Sequence, residues 1–154
     1  MASFRLYKSE KLCSQTAIDL LFGRRQTTIC ANEKTTETTE SGDRPGGSLA
    51  FPLRAVWRHN PGRTRGSDVQ FLISIPKKRL RHAVDRVTMR RRVREAYRLN
   101  RHLLDSVPDG MHIDVAFIYV APTLQPYASV EQSVYRLLRR MARSFTPSDN
   151  EHPE

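Results

Sequence analysis

The sequence has little of what usually advertises a cofactor or a membrane. Its two cysteines, Cys13 and Cys30, stand apart, with no CxxC pair and no histidine at ligand spacing; this argues against a disulfide framework and a zinc site and leaves two free thiols. No apolar run reaches the length of a bilayer span, and the opening MASFRLYKSEKL lacks an apolar h-region. No membrane partner is therefore expected, and a cytoplasmic location is. Acids are scarce beside bases, 16 Asp and Glu against 26 Lys and Arg, for a net charge of +10. Such a surface attracts phosphates and releases their counterions, which points to a polyanionic partner. Hydrophobic residues reach only 38% of 154, so part of the chain adds little to a core. One domain over residues 1–145 is expected, followed by a frayed acidic tail, 146–154.

The positive charge is concentrated. Between Lys77 and Arg101 stand eleven Lys or Arg and two acids, Asp85 and Glu95, so this segment carries +9 of the total. Elsewhere the chain is nearly neutral.

Along the chain, Ser9 is placed to cap a helix over about 9–22, with Leu12, Ile18, Leu21 and Phe22 as its apolar positions and Gly23 as terminator. Residues 24–48 are rich in Thr, Glu, Gly and Ser and read as a long mobile loop inserted in the domain. From Leu49 the alternation of Phe51, Leu53, Ala55 and Trp57 with polar or smaller residues predicts a strand with one buried face, and Pro52 suggests its edge or its start. Val69–Ile75 predicts a second strand, its hairpin partner across the turn signals at 60–67. A helix over about 84–104, a buried strand over 112–120 and a last helix to about Arg143, opened by a Ser129–Gln132 capping box, complete the order. The expectation is an α+β fold of about four strands and three helices.

On the basic helix, at 100° per residue from Arg86, the side chains Met89, Val93, Ala96, Leu103 and Leu104 form one stripe. Arg90, Arg101, Arg94, Arg98 and Arg91 crowd the neighbouring arc, from about 40° to 140°. Like charges at i,i+4 destabilise a helix by a few tenths of a kcal/mol each, about 0.2–0.5, and Arg is used almost throughout where Lys would serve solubility. That choice suits bidentate phosphate contact. A charged helix face is more often merely solvated, but the density and single-sidedness here favour RNA. A membrane-surface or calmodulin-target helix would need its apolar face free, and this one has to cover a sheet.

The segment IPKKRLRHAVDRVTMRRRVREAYR, 75–98, resembles the signature of the bacterial ribonuclease P protein family, through Lys77, Lys78, Ala83, Val84, Arg86, Arg90, Arg91, Arg94 and Glu95. More weakly, FRLYKSEKL with Ile18, Leu21 and Phe22, and IDVAFIYVAP, are similar to the family's flanking elements. Three departures stand out: Arg86-Val87-Thr88 where the family has Arg-Asn-Arg, Pro76 in place of Ser, and one inserted residue between Lys78 and Ala83. The resemblance implies the ribosomal protein S5 domain 2-like fold with a left-handed βαβ crossover, against the general right-handed preference. It also implies a protein subunit that binds the catalytic ribonuclease P RNA and the 5′ leader of precursor tRNA and assists endonucleolytic 5′ maturation. The RNA would perform the hydrolysis, with Mg2+ held through the RNA and no cofactor on protein side chains. RNA contacts would fall to Lys77, Lys78, Arg79, Arg81, Arg86, Arg90, Arg91, Arg94, Arg98 and Arg101, and a leader cleft to Ile18, Phe22, Phe51 and Arg54.

Independently of that resemblance, no set of general acid-base groups or metal-ligating carboxylates stands out: His59, His82, His102, His112 and His152 are dispersed, as are Asp85, Asp109 and Asp114. An aromatic such as Trp57 at regular spacing is usually core, though rings beside cations can also stack bases. The competing function is a non-enzymatic RNA-binding module of ribosomal or assembly type. DNA binding is disfavoured, since no helix-turn-helix pair precedes the basic helix.

Overall fold

The computed structural model describes residues 5–22 and 46–146, and within them a four-stranded mixed sheet carries three α-helices. The strands are β1 (Gly46–Ala50), β2 (Leu53–His59), β3 (Val69–Ser74) and β4 (Ile113–Tyr119), in the spatial order β1-β2-β4-β3. β4 runs antiparallel to β2 and parallel to β3. The α-helices are α1 (Gln15–Leu21), α2 (Ala83–Asn100) and α3 (Tyr127–Phe145), with single 3₁₀ turns at Lys8–Glu10 and Arg101–Leu104. The four strands and three helices match the α+β expectation, and β3, α2 and β4 form the parallel crossover unit.

β4 is central because its residues are apolar on both faces. Ile113, Val115, Phe117 and Tyr119 join Leu53, Ala55 and Trp57 of β2 in a core covered by α2 and α3. Ala116, on the other face, packs with Leu12, Ala17 and Leu21 of the α1 region, and Ile18, Val56 and Leu72 close that smaller cluster. Tyr97 of α2 lies 4.4 Å from Phe71 and 6.0 Å from Phe117 between ring centroids. Its burial pushes the phenol well above its ordinary range.

Several sequence expectations shift. α1 begins at Gln15, capped by Ser14, whose hydroxyl accepts from the Ala17 amide, while Ser9 lies in the preceding 3₁₀ turn. The single strand expected from Leu49 is two: the chain turns at the cis Phe51–Pro52 bond, and β1 begins at Gly46, so residues 46–48 belong to the sheet and not to a loop. Residues 23–45 and 147–154 lie outside the described part, and with them the rest of the expected mobile loop and the tail. β3 is not the hairpin partner of β2, because β4 inserts between them. α3 starts at Tyr127 after Pro126, one turn earlier than the Ser129–Gln132 signal implied.

Candidate nucleic-acid interface

The basic helix buries Met89, Val93, Ala96, Tyr97 and Asn100, and Leu104 follows in the 3₁₀ turn. This is the predicted stripe with Tyr97 and Asn100 added. Asn100 is tolerated inside because its Nδ2 donates to the Ala96 carbonyl at 2.8 Å. On the arc beside the stripe, Arg90, Arg91 and Arg94 are exposed and have no hydrogen-bond or ion-pair partner among the described residues. Val84 and Val87, 76% and 43% exposed, extend the same arc toward the helix start. Thr88 turns inward on its own helix, its hydroxyl donating to the Val84 carbonyl at 2.9 Å.

The approach loop is fixed rather than slack. Leu80 is buried, and the amides of Arg79 and Leu80 both donate to the Pro76 carbonyl. Arg86 clamps the loop from the helix: its Nη1 donates to the carbonyls of Leu80 at 2.9 Å and Arg81 at 2.7 Å. Lys77, Lys78, Arg79 and Arg81 are thereby presented to solvent, again with no partner among the described residues.

Two members of the predicted arginine set meet carboxylates of the chain itself. Arg98 donates to Glu95 through Nε and Nη2, at 2.9 and 2.5 Å, and this hydrogen bonding holds the Glu95 carboxyl below its ordinary range. Arg101 Nη1 donates to Glu10 at 2.7 Å. Arg92, which faces the other flank of α2, donates to the Gln125 carbonyl ahead of α3. Sequence position could not mark Arg101 and Arg92 as engaged, since Glu10 and Gln125 lie far away in the chain, whereas Glu95 stands three residues before Arg98 and was a visible partner.

The candidate leader residues are spread over α1, β2 and the β1–β2 turn. α1 covers the cross-strand row Val56, Ala116 and Leu72. The next row on the same face, Leu49, Arg54, Ile118 and Ser74, lies outside that cluster, with Leu49 and Arg54 exposed. Ile18 packs at the edge of the α1 cluster, Phe22 ends α1 at 42% exposure, and Phe51, 62% exposed, sits on the β1–β2 turn at the same end of the sheet as the open row. Ser74 closes that row, and Lys77 follows it within three residues. Trp57 belongs to the core instead, its Nε1 donating to Ser144 Oγ at 3.1 Å.

Asp114, 2% exposed, is a structural carboxylate: it accepts from Asn60 at 2.8 Å and from Arg63 at 2.7 Å. Burial lowers the Arg63 pKa, partly offset by Asp114 and Asp68. Among the described residues no group of three or more His, Cys, Asp or Glu is placed to hold a metal ion, and no helix is long and apolar enough to cross a membrane.

A family model described as Ribonuclease P matches residues 6–142. A ribonuclease P protein component of Porphyromonas gingivalis is 34% identical over 149 residues, 96% of this chain and 93% of that one. Another, of Chlorobium phaeobacteroides, is 29% identical over 91 residues, 53% of this chain and 62% of the relative. Among solved structures, the Staphylococcus aureus RNase P protein superposes with a TM-score of 0.58 at 13% identity, covering 89% of this chain and 98% of that chain. The last likeness is one of fold.

Proposed function

Because the chain belongs to the ribonuclease P protein family, whose role is the 5′ maturation of tRNA, we propose that it serves as the protein subunit of that ribonucleoprotein, with two RNA surfaces. In this reading Lys77, Lys78, Arg79, Arg81, Arg90, Arg91 and Arg94 hold RNA phosphates, and Arg86 keeps the loop in the shape that presents them. Guanidinium forks on a rigid helix face suit phosphate pairs. The single observation that carries the proposal is that these seven phosphate-holding cations are exposed and without partners among the described residues, while Arg92, Arg98 and Arg101 are occupied within the chain.

The open sheet row takes the single-stranded leader. Arg54 supplies charge to its backbone, while Phe22, Phe51 and the edge of Ile18 supply apolar surface for its bases. In this reading no catalytic step falls to the protein. The RNA carries the hydrolysis and holds the magnesium, and the protein positions substrate. A cytoplasmic site of action follows from that substrate.

Reconstitution with a ribonuclease P RNA and a precursor tRNA at low magnesium tests the proposal, with RNA alone compared against RNA plus protein. A gain in 5′ cleavage is expected. RNA binding without any gain would overturn it in favour of a non-enzymatic RNA-binding module.

A further inference from the structure

The last helix carries a second concentration of arginine that the reading above does not use. Arg136, Arg139, Arg140 and Arg143 recur at spacings of three and four along α3. At 100° per residue they fill an arc of about 100° directly opposite the buried stripe of Val130, Val134, Leu137, Leu138 and Met141. All four are exposed, and Arg136, Arg139 and Arg143 have no hydrogen-bond or ion-pair partner among the described residues. Arg140 is pinned, its Nη1 donating to Ser48 Oγ at 2.6 Å and to the Leu49 carbonyl at 2.9 Å.

A charged helix face is ordinarily a solvated one. Three features set this one apart. No acid shares the arc, and Glu131 lies near the core edge of the helix, so the i,i+3 and i,i+4 repulsions go unrelieved on the helix itself. Every cation is Arg and none is Lys, the choice that favours bidentate phosphate contact over solubility. The arginines also border a concavity of about 580 Å³ that Tyr135, 40% exposed, and Asn100 help to line, with Glu131 as its one acid against four arginines. A ring beside guanidinium groups is a platform for a base as well as for a backbone.

This face is separate from the arginine arc of α2. Arg92 reaches toward the start of α3 from one flank of α2, whereas Arg90, Arg91 and Arg94 lie on the other side of that helix. Resting on the RNA-binding reading above, we propose that the outer face of α3 is a second site for RNA phosphates, engaged by a folded RNA segment distinct from the one held by α2. Catalytic RNA and precursor tRNA share that chemistry.

The test is a triple variant, R136A/R139A/R143A, in the full chain. Its affinity is measured against salt in two arms: protein with ribonuclease P RNA, and assembled holoenzyme with precursor tRNA. The slope of log affinity against log salt is expected to fall by about two to three units in one arm, which identifies the source. The corresponding triple Arg→Lys variant should keep the parental slope. If the alanine triple melts early, the single variants R139A and R143A, each expected to lose about one unit, replace it. Unchanged slopes in both arms overturn the inference. R90A/R91A/R94A, run in parallel, separates the cases: loss of slope there alone overturns the α3 site and leaves the RNA-binding reading standing, whereas no loss in either triple overturns both.

Discussion

Arg101 and Glu10 lie 91 residues apart in sequence and meet at 2.7 Å, fastening the amino-terminal segment to the end of the basic helix. The other Glu10 oxygen accepts the Tyr7 amide at 2.6 Å, so one largely buried carboxylate holds two partners. Glu10→Ala is expected to destabilise the fold by about 1–3 kcal/mol, since it leaves a partly buried guanidinium and an amide without their acceptor. Thermal melting checks this. An unchanged melting temperature would show the pair to be incidental.

In the RNA-binding reading, Glu95 holds a guanidinium, that of Arg98, which RNA phosphates would otherwise take. Glu95→Gln removes the carboxylate charge from beside Arg98 and should steepen the salt dependence of RNA binding by up to about one unit, as that guanidinium loses its acidic competitor to a phosphate. The depressed Glu95 pKa sets the pH behaviour: whatever the pair contributes is present above the ordinary carboxylate range and is lost only as pH falls through the lower, folded value. Lowering the pH from 7 to 5 should therefore leave the contribution of Arg98 unchanged. A difference in slope between the parent and Glu95→Gln that shrinks within that range would contradict the assignment; histidines add charge to both proteins alike.

Phe22 and Phe51 are exposed, so replacing both by Ala should change stability by less than about 0.5 kcal/mol each. Binding of a precursor with a 5′ leader should weaken by about 1–3 kcal/mol per stacked base lost, with no change for mature tRNA. Equal losses for both RNAs would place the rings away from the leader.

Gly46 is packed against Trp57 so closely that an added Cβ would stand 2.5 Å from the indole Nε1. That nitrogen is committed to Ser144 and cannot retreat without breaking the link between β2 and α3. Gly46→Ala should cost about 1–3 kcal/mol by overpacking, measured as a lowered denaturation midpoint. A variant as stable as the parent would mean that the strand shifts freely.

The strongly patterned elements were legible in the sequence: the α2 stripe, the doubly apolar β4 and the apolar positions of α3 reappear in the structure with ends moved by a few residues. The hairpin at Phe51–Pro52 was not, because the alternation through Phe51 and Leu53 continues in phase across the turn and hides the reversal. The β1-β2-β4-β3 order was hidden for a different reason, since adjacency in the sheet is decided by long-range burial of β4 and not by local turn chemistry. In the candidate interface, the density and sidedness of the arginines could be read directly. The Arg98–Glu95 pair lies at readable i,i+3 spacing, but the partners of Arg101 and Arg92 could not be read, because Glu10 and the Gln125 carbonyl reach the helix only through the tertiary fold.

The central place of β4 also sets an order of events during synthesis. β2 and β3 are made well before the strand that joins them, and until β4 leaves the ribosome each has an unsatisfied edge and no common core. The sheet can close only after α2 has emerged, so the arginine-bearing segment leaves the ribosome before the body that supports it is complete. Contacts so distant in sequence slow folding and prolong the exposure of open edges. A polyanion that engaged this face early would meet a chain still unfinished, and assembly with RNA and closure of the sheet would then be coupled in time.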